Sequence, residues 1–506
     1  MTATDSVTGG TPGAPSFQFV LIALVALTAI RIAGLHASVV DLYVDEAQYW
    51  LWSRDLQLGY FSKPPLLAWL IAATNLVCGS GEACVRITAP LLYFGMCLLV
   101  YAVADELYGR EAAAWASLAS ALGTGLTFSS RIMSTDVPLM FCWAAALLAY
   151  VKLLRDPDWR WAVTLGLSIG FGLLSKYAMA YFVLCALLAA PLQRATQELL
   201  LRRQTWIALA IALLVAAPNV YWNLENDFAT LRHTSDNVTG AGLRFKPSDA
   251  LAFVGSQFAV AGPLIFGAFL VILGLHGPRS HPNDRLMLAF SLPPLVLVTA
   301  LSFLRNAHPN WAAPALLSMT ILVVAWWLRN NHRRWLWATL AIGLAMQVVL
   351  IAGDANAYRV ALPALGTKAD LYQRTLGWRE FGSQASRMAR QAGTPVVVAE
   401  GTGGRRAEVA ALRYYLRDEP ITALTWQIRA TPRHYFETEL SLDDSVSGPV
   451  LFITYCPSPA RLQPFYQNIT SLGSFDVRSG PTSTRRYYAY RLESRIRPIE
   501  PIDACG

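Results

Sequence analysis

Long apolar segments separated by short polar connections restrict the fold of this chain more than any other feature. Eleven segments approach the roughly 20 apolar residues that a helix needs to cross a hydrocarbon core of about 30 Å. They are residues 17–35, 84–104, 112–130, 133–153, 160–175, 177–192, 205–222, 250–275, 286–304, 311–328 and 335–352. Because 54% of the residues are hydrophobic and only 15% are charged, we predict a polytopic α-helical membrane protein of about 11–13 spans.

The sequence changes character near Gly353. Residues 17–352 hold nearly all of the long apolar segments, whereas residues 354–506 alternate short apolar segments with polar turns, which predicts a soluble α/β domain. Residues 1–16 are rich in Gly, Pro, Ser and Thr and contain no Lys or Arg. We therefore predict a disordered cytoplasmic tail, followed by a first span that is retained and not a cleaved signal.

Basic residues predict the orientation of the spans. With the N-terminus in the cytoplasm, the outer loops are 36–83 and 223–249, and the domain at 354–506 also lies outside. The short cytoplasmic connections, together with Lys152 and Arg160 at the adjoining span ends, then carry twelve basic residues, as the positive-inside rule requires. They are Arg110, Lys152, Arg155, Arg160, Arg194, Arg202, Arg203, Arg279, Arg285, Arg329, Arg333 and Arg334. These residues account for the net charge of +8 without nucleic acid binding.

The seven cysteines fall into two groups. Three lie inside apolar segments, where we expect them to act as small hydrophobic side chains: Cys97, Cys142 and Cys185. The other four form two candidate disulfides if their segments face an oxidising compartment: Cys78 with Cys84, and Cys456 with Cys505.

The remaining charged groups gather at the outer ends of the spans. Charges near the membrane boundary are costly and tend to mark function, although a solvated surface explains any single one equally well. The group comprises Asp41, Asp45, Glu46, Lys63, Arg131, Asp136, Lys176, Arg232, His233, Arg305 and His308.

The first outer loop contains the sequence Asp-Leu-Tyr-Val-Asp-Glu-Ala-Gln-Tyr-Trp-Leu-Trp at residues 41–52. At helical spacing Asp41, Asp45 and Gln48 share one face, which predicts a helix lying in the membrane interface with aromatic anchors. A carboxylate on this helix is suited to accept a proton from an attacking hydroxyl group. A solvated interfacial helix without chemistry is the alternative.

Two further segments carry charge in defined local settings. Lys63 precedes two prolines that stiffen the backbone, so it is suited to hold an anion such as phosphate. Snorkelling to the lipid headgroups is the competing interpretation for this lysine. Asp136 lies in the first turn of a span, two residues before Pro138, where a helix cap would also explain it.

These segments resemble the PMT-like branch of the GT-C glycosyltransferases. This branch includes the protein O-mannosyltransferases, the lipid A aminoarabinose transferase and the rhizobial lipid A and core galacturonosyltransferases, and the lipopolysaccharide-modifying members are the more similar. The resemblance covers residues 17–352 and rests on Asp45-Glu46, Lys63-Pro-Pro, Asp136 with Pro138, Leu173-Leu-Ser-Lys176 and His308-Pro-Asn-Trp-Ala-Ala-Pro314.

The resemblance implies an inverting transfer of a sugar from a polyprenyl-phosphate donor to lipid A or the lipopolysaccharide core, at the periplasmic face of a bacterial inner membrane. Asp45 and Asp136 would be catalytic carboxylates, with Glu46 adjoining. The donor phosphate would be held by Lys63, Lys176, Arg232 and His233. Other residues expected in the pocket are Tyr60, Arg131, Arg305 and His308.

The expected partners are the polyprenyl-phosphate-linked sugar, an anionic glycolipid or glycan acceptor, and membrane lipids. An anionic acceptor agrees with residues 354–506, where 18 Arg and 1 Lys face 15 acids, a net charge of +4. We expect a monomer without a cofactor; no cluster has metal-ligand spacing, although scattered carboxylates leave a divalent ion open.

Three other functions remain open at this point: a transporter or flippase of a lipid-linked saccharide, a protein O-mannosyltransferase, and a noncatalytic scaffold. The glycine-rich segment at 401–406 is not a phosphate-binding G-x-G-x-x-G turn, since position 406 is Arg. We predict a plain connection between a strand and a helix there, with binding of the acceptor or a lipid headgroup as the alternative.

Overall fold

The computed structural model describes residues 15–239, 245–275, 281–360, 370, 372–400, 405–428 and 431–502, with the backbone alone for 236–239. Helices dominate the chain up to residue 355. The helices of the described residues are α1 (Phe17–Ala37), α2 (Val44–Trp52), α3 (Leu66–Cys78), α4 (Glu82–Arg86), α5 (Thr88–Tyr108), α6 (Arg110–Ala121), α7 (Thr124–Ser129), α8 (Asp136–Arg155), α9 (Trp159–Ser175), α10 (Ala180–Ala189), α11 (Arg194–Leu201), α12 (Arg203–Glu225), α13 (Ala229–Thr239), α14 (Pro247–Val260), α15 (Pro263–Leu275), α16 (Pro282–Ala289), α17 (Leu292–Ser302), α18 (Ala315–Arg329), α19 (Arg333–Ala355), α20 (Trp378–Ala392), α21 (Ala407–Tyr415) and α22 (Tyr435–Glu439).

Each of the eleven apolar segments is occupied by helix, but fewer helices are long enough to cross a membrane unaided. Six in the described ranges meet that length and hydropathy: Phe17–Ala37, Glu82–Tyr108, Asp136–Arg155, Arg203–Glu225, Pro282–Ser302 and Arg333–Ala355. Helices α14 and α15 add a seventh if they count as one broken span, bent by 119°. The bend has a local cause, because Gly262 has a φ of 90° and Pro263 lacks an amide hydrogen.

Helix α9 packs closely against α12 because it presents glycines on the contact face. A Cβ atom at Gly166 would lie 2.6 Å from the carbonyl oxygen of Ala208, and one at Gly170 would lie 2.6 Å from Cβ of Val215. Small residues four apart allow helix backbones to approach in this way. Helix α9 ends one residue before Lys176, so this contact helps to fix the position of a predicted site residue.

A buried arginine that the sequence did not single out joins three helices. Arg31 of α1 donates hydrogen bonds to Oε1 of Gln347 on α19, at 2.8 Å, and to the carbonyl oxygen of Ala121 at the end of α6, at 2.6 Å. Both acceptors lie within the helical bundle, so this charge is accommodated by polar contacts inside the protein.

The C-terminal region contains one mixed sheet, as expected for an α/β domain. Its strands are β1 (Val396–Ala399), β2 (Thr422–Thr425), β3 (Val450–Thr454), β4 (Tyr466–Arg478) and β5 (Thr484–Arg495). Their order is β2-β1-β3-β5-β4; β1 pairs in parallel with β2 and β3, and the other pairs are antiparallel. Side chains of α20 and α21, including Phe381 and Leu412, pack on the sheet in one hydrophobic core.

The described chain forms two compact units that do not follow chain order. The first takes the described residues of Met1–Ala33, Lys63–Leu67 and Arg86–Leu350. The second takes those of Gly34–Ser62, Ala68–Val85 and Ile351–Gly506, so most of the first outer loop groups with the C-terminal domain.

Within the second unit, a disulfide and an ion pair restrain the end of the first outer loop. Cys78 and Cys84 form a disulfide with a Cα–Cα distance of 5.8 Å. The other candidate pair includes Cys505, which lies outside the described residues. Glu82, between the two bonded cysteines in sequence, accepts a hydrogen bond from Arg379 of α20 at 2.5 Å.

Candidate active site

The predicted acidic helix exists as α2, but it begins at Val44 and so does not include Asp41. The carboxylate of Asp41 is buried and accepts hydrogen bonds from the backbone amides of Trp378, at 2.7 Å, and Arg379, at 3.3 Å. It therefore caps α20. Burial raises the pKa of Asp41, while the amide bonds and the Arg379 guanidinium act in the opposite direction.

Glu46 has a capping role on the helix that carries Asp45. It is 1% exposed, and its Oε2 accepts a hydrogen bond from the backbone amide of Tyr43 at 2.9 Å. A glutamate in the first turn that bonds back to the residue before the helix satisfies one of the unpaired amides of that turn. The neighbouring carboxylates thus differ, since Glu46 closes the helix end and Asp45 faces outward.

Asp45 forms an ion pair with an arginine that is distant in sequence. Nη2 of Arg406 contacts Oδ1 of Asp45, and Nη1 of the same guanidinium contacts Oε1 of Gln48. The Asp45 side chain is 51% exposed and that of Arg406 is 30% exposed. Because Asp45 and Gln48 are three residues apart on α2, one guanidinium reaches both.

Aromatic contacts hold α2 in place. Trp50 packs edge-on against Tyr414 of α21, with ring centroids 4.9 Å apart. Trp52 stacks on Tyr60 at 4.7 Å, and the Tyr60 hydroxyl donates to the carbonyl oxygen of Trp52 or Asp55, each at 3.0 Å. Burial raises the pKa of Tyr60 to about 12. The predicted pocket residue Tyr60 thus supports the end of the acidic helix.

A second polar cluster lies in the first unit, around Asp136. Its Oδ1 accepts a hydrogen bond from Nζ of Lys176 at 2.7 Å, and its Oδ2 accepts one from Nδ2 of Asn310 at 2.5 Å. The side chain of Asp136 is 8% exposed and that of Lys176 is 22% exposed. The structure therefore brings together two of the predicted residues and adds an asparagine that the sequence did not nominate.

Neighbouring hydrogen bonds fix the backbone that carries this cluster. The Ser175 hydroxyl donates to the carbonyl oxygen of Thr135 at 2.7 Å, which joins the end of α9 to the start of α8. The Tyr177 hydroxyl donates to Oδ1 of Asn219 on α12 at 2.8 Å. Lys176 lies between these two anchors, so its ammonium group is held at one place on the bundle.

The other predicted residues of the first unit have the following contacts and exposure. Arg131 lies over the ring of Phe128 at 4.9 Å, and the rings of His308 and Trp311 are 5.7 Å apart. Arg232 is exposed on α13, and His233 beside it is half-buried, as are Arg305 and Lys63. Lys63 belongs to the first unit and Asp45 to the second, so their expected meeting in one pocket stays a prediction.

Helix α13 lies where the second outer loop was expected. Asp227 and Phe228, just before it, both have positive φ values, of 52° and 56°. Residues other than glycine rarely adopt this conformation, and such strain often marks functional segments. These two residues lie between α12 and α13, so their backbone conformation sets the direction of α13, which carries Arg232 and His233.

Sequence reasoning missed Asn310 and Arg406. Asn310 belongs to the His-Pro-Asn-Trp segment that carries the family resemblance, which was the available signal. In the sequence, Arg406 stood out only as the residue that breaks the G-x-G-x-x-G spacing. No nearby residue indicated that it pairs with Asp45. The glycine turn itself, at 401–404, lies outside the described residues, whereas the flanking strand β1 and helix α21 agree with the predicted connection.

A buried ion pair lies at the carboxyl ends of the interior strands β1 and β3. Glu400 is 2% exposed and forms an ion pair with Arg461, and its Oε2 also accepts a hydrogen bond from the Thr454 hydroxyl at 2.6 Å. These contacts join the ends of the parallel strands β1 and β3. Among the described residues, no group of three or more His, Cys, Asp or Glu side chains is placed to hold a metal ion.

Comparison with known proteins identifies relatives over most of the chain. The family model described as dolichyl-phosphate-mannose-protein mannosyltransferase matches residues 62–222. The lipid A galacturonosyltransferase RgtD of Rhizobium johnstonii is 34% identical over 439 residues, which are 86% of this chain and 90% of that protein. The lipopolysaccharide core galacturonosyltransferase RgtB of the same organism is 27% identical over 60% of this chain and 64% of its own length.

The fold also has a solved counterpart. The crystal structure of ArnT from Cupriavidus metallidurans bound to undecaprenyl phosphate superposes with a TM-score of 0.66, covering 94% of this chain and 98% of that chain at 16% identity. The same enzyme in the apo state gives a TM-score of 0.58. The likeness confirms the predicted fold class, and the relatives do not favour a transporter or a scaffold. With RgtD related along nearly its whole length, this chain belongs to the PMT-like GT-C family of membrane glycosyltransferases.

Proposed function

We propose that this protein transfers galacturonic acid from a polyprenyl-phosphate carrier to lipid A or the lipopolysaccharide core, at the periplasmic face of a bacterial inner membrane. One observation carries the proposal, namely the 34% identity along 86% of the chain to an enzyme named for galacturonosyl transfer to lipid A. The relative named for transfer to the core is less similar, at 27% identity. Lipid A is therefore the first acceptor to test.

The Asp136 cluster supports the use of a phosphate-linked donor. The Lys176 side chain in this cluster is 22% exposed, and its ammonium group is held in place by Asp136. A fixed cation of this kind suits a leaving phosphate, whose charge grows as the bond to the sugar breaks. Asp136 then acts by positioning Lys176, and Lys63 on its Pro-Pro turn is the second cation for the same phosphate.

The chemistry follows from a single displacement. An acceptor hydroxyl oxygen forms a bond to the anomeric carbon of the sugar while the bond from that carbon to the phosphate oxygen breaks. The electron pair leaves with polyprenyl phosphate, the hydroxyl proton passes to the Asp45 carboxylate, and the configuration at the anomeric carbon inverts. Asp45 is the favoured base because its carboxylate is half exposed, whereas Glu46 is buried in a helix cap.

Two features support the periplasmic orientation. The short connections assigned to the cytoplasm carry the twelve basic residues identified from the sequence. The Cys78–Cys84 disulfide lies in the second unit, and disulfides persist in oxidising compartments such as the periplasm. The arginine-rich domain at 354–506 would then face the anionic surface of the acceptor lipid.

The Asp45→Asn variant tests the assigned base. We expect it to fold, reach the membrane and lose at least about 10²-fold in transfer rate, since proton transfer by a positioned side chain contributes about 10²–10⁴-fold. The assay is transfer from radiolabelled polyprenyl-phosphate galacturonic acid to purified lipid A. Asp55→Asn is the matched control because Asp55 is an exposed acid of the same loop, bonded to Gln57. Near-normal transfer by Asp45→Asn would remove Asp45 from this role.

Mass spectrometry of envelope lipids from cells with and without this protein tests the substrate assignment. We expect lipid A to gain the mass of one galacturonosyl residue only when the protein is present. A different added mass, or an added mass on the core or on a protein, would replace the corresponding part of the proposal. No change in any envelope component, together with movement of the carrier lipid between leaflets, would favour a flippase.

A further inference from the structure

We propose that Arg406, supplied by the C-terminal domain, is a positioning residue that fixes the carboxylate of Asp45 for proton transfer. This inference rests on the proposed role of Asp45. It gives the C-terminal domain a direct part in the reaction, in addition to any contact with the acceptor.

The contacts of Arg406 suit this role. One guanidinium nitrogen engages Oδ1 of Asp45 and the other engages Oε1 of Gln48, on the next turn of the same helix face. Two contacts from a planar guanidinium define a direction as well as a distance. With Oδ1 engaged, the second carboxylate oxygen is the one that receives the proton from the acceptor hydroxyl.

Arg406 is itself on a rigid support. It is the N-cap residue of α21, and Ala410 and Leu412 of that helix are fully buried. Helix α2 contacts the same helix through the Trp50–Tyr414 rings, and Leu42, two residues before α2, donates its amide to the Tyr415 hydroxyl at 3.1 Å. The base and its positioning residue therefore lie on two helices that are fixed against each other within the second unit.

An exposed aspartate needs such a restraint more than a buried one does. With half of its side chain exposed, Asp45 has few packing contacts to select one rotamer. Misplacing a reacting group by about 1 Å can cost on the order of 10²-fold in rate. As an exposed ion pair, the contact adds little to stability, so its main effect is on geometry.

The test compares Arg406→Ala with Arg406→Lys in the full-length protein, using the same transfer assay. We expect Arg406→Ala to lower kcat by about 10–10²-fold with a smaller change in KM for the donor. Arg406→Lys should recover part of kcat, because an ammonium group can keep one of the two contacts. Arg390→Ala is the matched control, since Arg390 forms another exposed pair in this domain, with Glu419 at 3.3 Å.

Chemical rescue separates positioning from a purely structural effect. Guanidinium ion added at a concentration that leaves the wild-type unfolding temperature unchanged should restore part of the activity of Arg406→Ala, and none of the activity of Asp45→Asn. Near-wild-type kcat in Arg406→Ala would overturn the proposal, and so would a loss that guanidinium does not reverse. If Asp45→Asn keeps its activity, the assigned base fails instead, so the two failures are distinguishable.

Discussion

The pair formed by Asp136 and Lys176 leads to an asymmetric prediction for stability. We expect Lys176→Met to destabilise the protein strongly and Asp136→Asn to destabilise it weakly. The reason is that removing the lysine leaves a carboxylate with 8% of its side chain exposed, whereas removing the carboxylate leaves an ammonium group that is 22% exposed and can reach solvent. The asparagine in the second variant also keeps an oxygen that can accept the bond from Asn310.

The magnitudes follow from the same contacts. Breaking a buried pair by removing one partner costs about 3–5 kcal/mol, and the partial exposure of Lys176 places Lys176→Met near the lower limit, at about 3 kcal/mol. Asp136→Asn should cost about 1 kcal/mol, the net value of a hydrogen bond. The double variant leaves no buried charge, so it should be more stable than Lys176→Met by about 2 kcal/mol.

The measurement is thermal unfolding of the detergent-solubilised, full-length variants beside the transfer assay. The wild type should have the highest unfolding temperature and Lys176→Met the lowest, with Asp136→Asn and the double variant between them at about the same temperature. Transfer should be impaired in every variant, because Lys176 is displaced or absent in each. A double variant less stable than Lys176→Met, or losses that simply add, would refute the view that the two charges compensate each other.

Two further predictions concern the helix bundle and the C-terminal domain. Gly170→Ala should destabilise the protein by about 1–3 kcal/mol, because the added Cβ would lie 2.6 Å from Cβ of Val215. Gly255→Ala is the control and should not destabilise it, because no atom lies within 4 Å of the added Cβ. Thermal unfolding of both variants tests this prediction. Burial raises the pKa of Glu408, so the folded state binds its proton more tightly than the unfolded state and stability falls as pH rises from below the ordinary value through the raised one. Glu408→Gln should therefore reduce the fall in unfolding temperature as the pH rises above the ordinary glutamate pKa of 4.5, and an unchanged slope would contradict the assignment.

Local sequence predicted much of the structure up to residue 355, and its errors have identifiable causes. Hydropathy located helix in all eleven apolar segments, but length could not be judged from apolarity, since Gly262 and Pro263 divide one segment into two helices. Helical spacing placed Asp41 on the acidic helix, whereas its carboxylate instead satisfies the amides that begin α20. A periodic pattern cannot distinguish these cases, because the cap partner lies more than 300 residues away.

The sequence alone determined the class of protein, because the cost of placing polar groups in a bilayer acts residue by residue and leaves a pattern along the chain. The same holds for the family, whose motifs are short and local. Tertiary structure decided which charges meet. Lys176 reaches Asp136 across 40 positions and Arg406 reaches Asp45 across 361, and such pairings depend on how helices pack, which no local pattern encodes. The proposed base thus came from the sequence, and its proposed positioning residue came only from the fold.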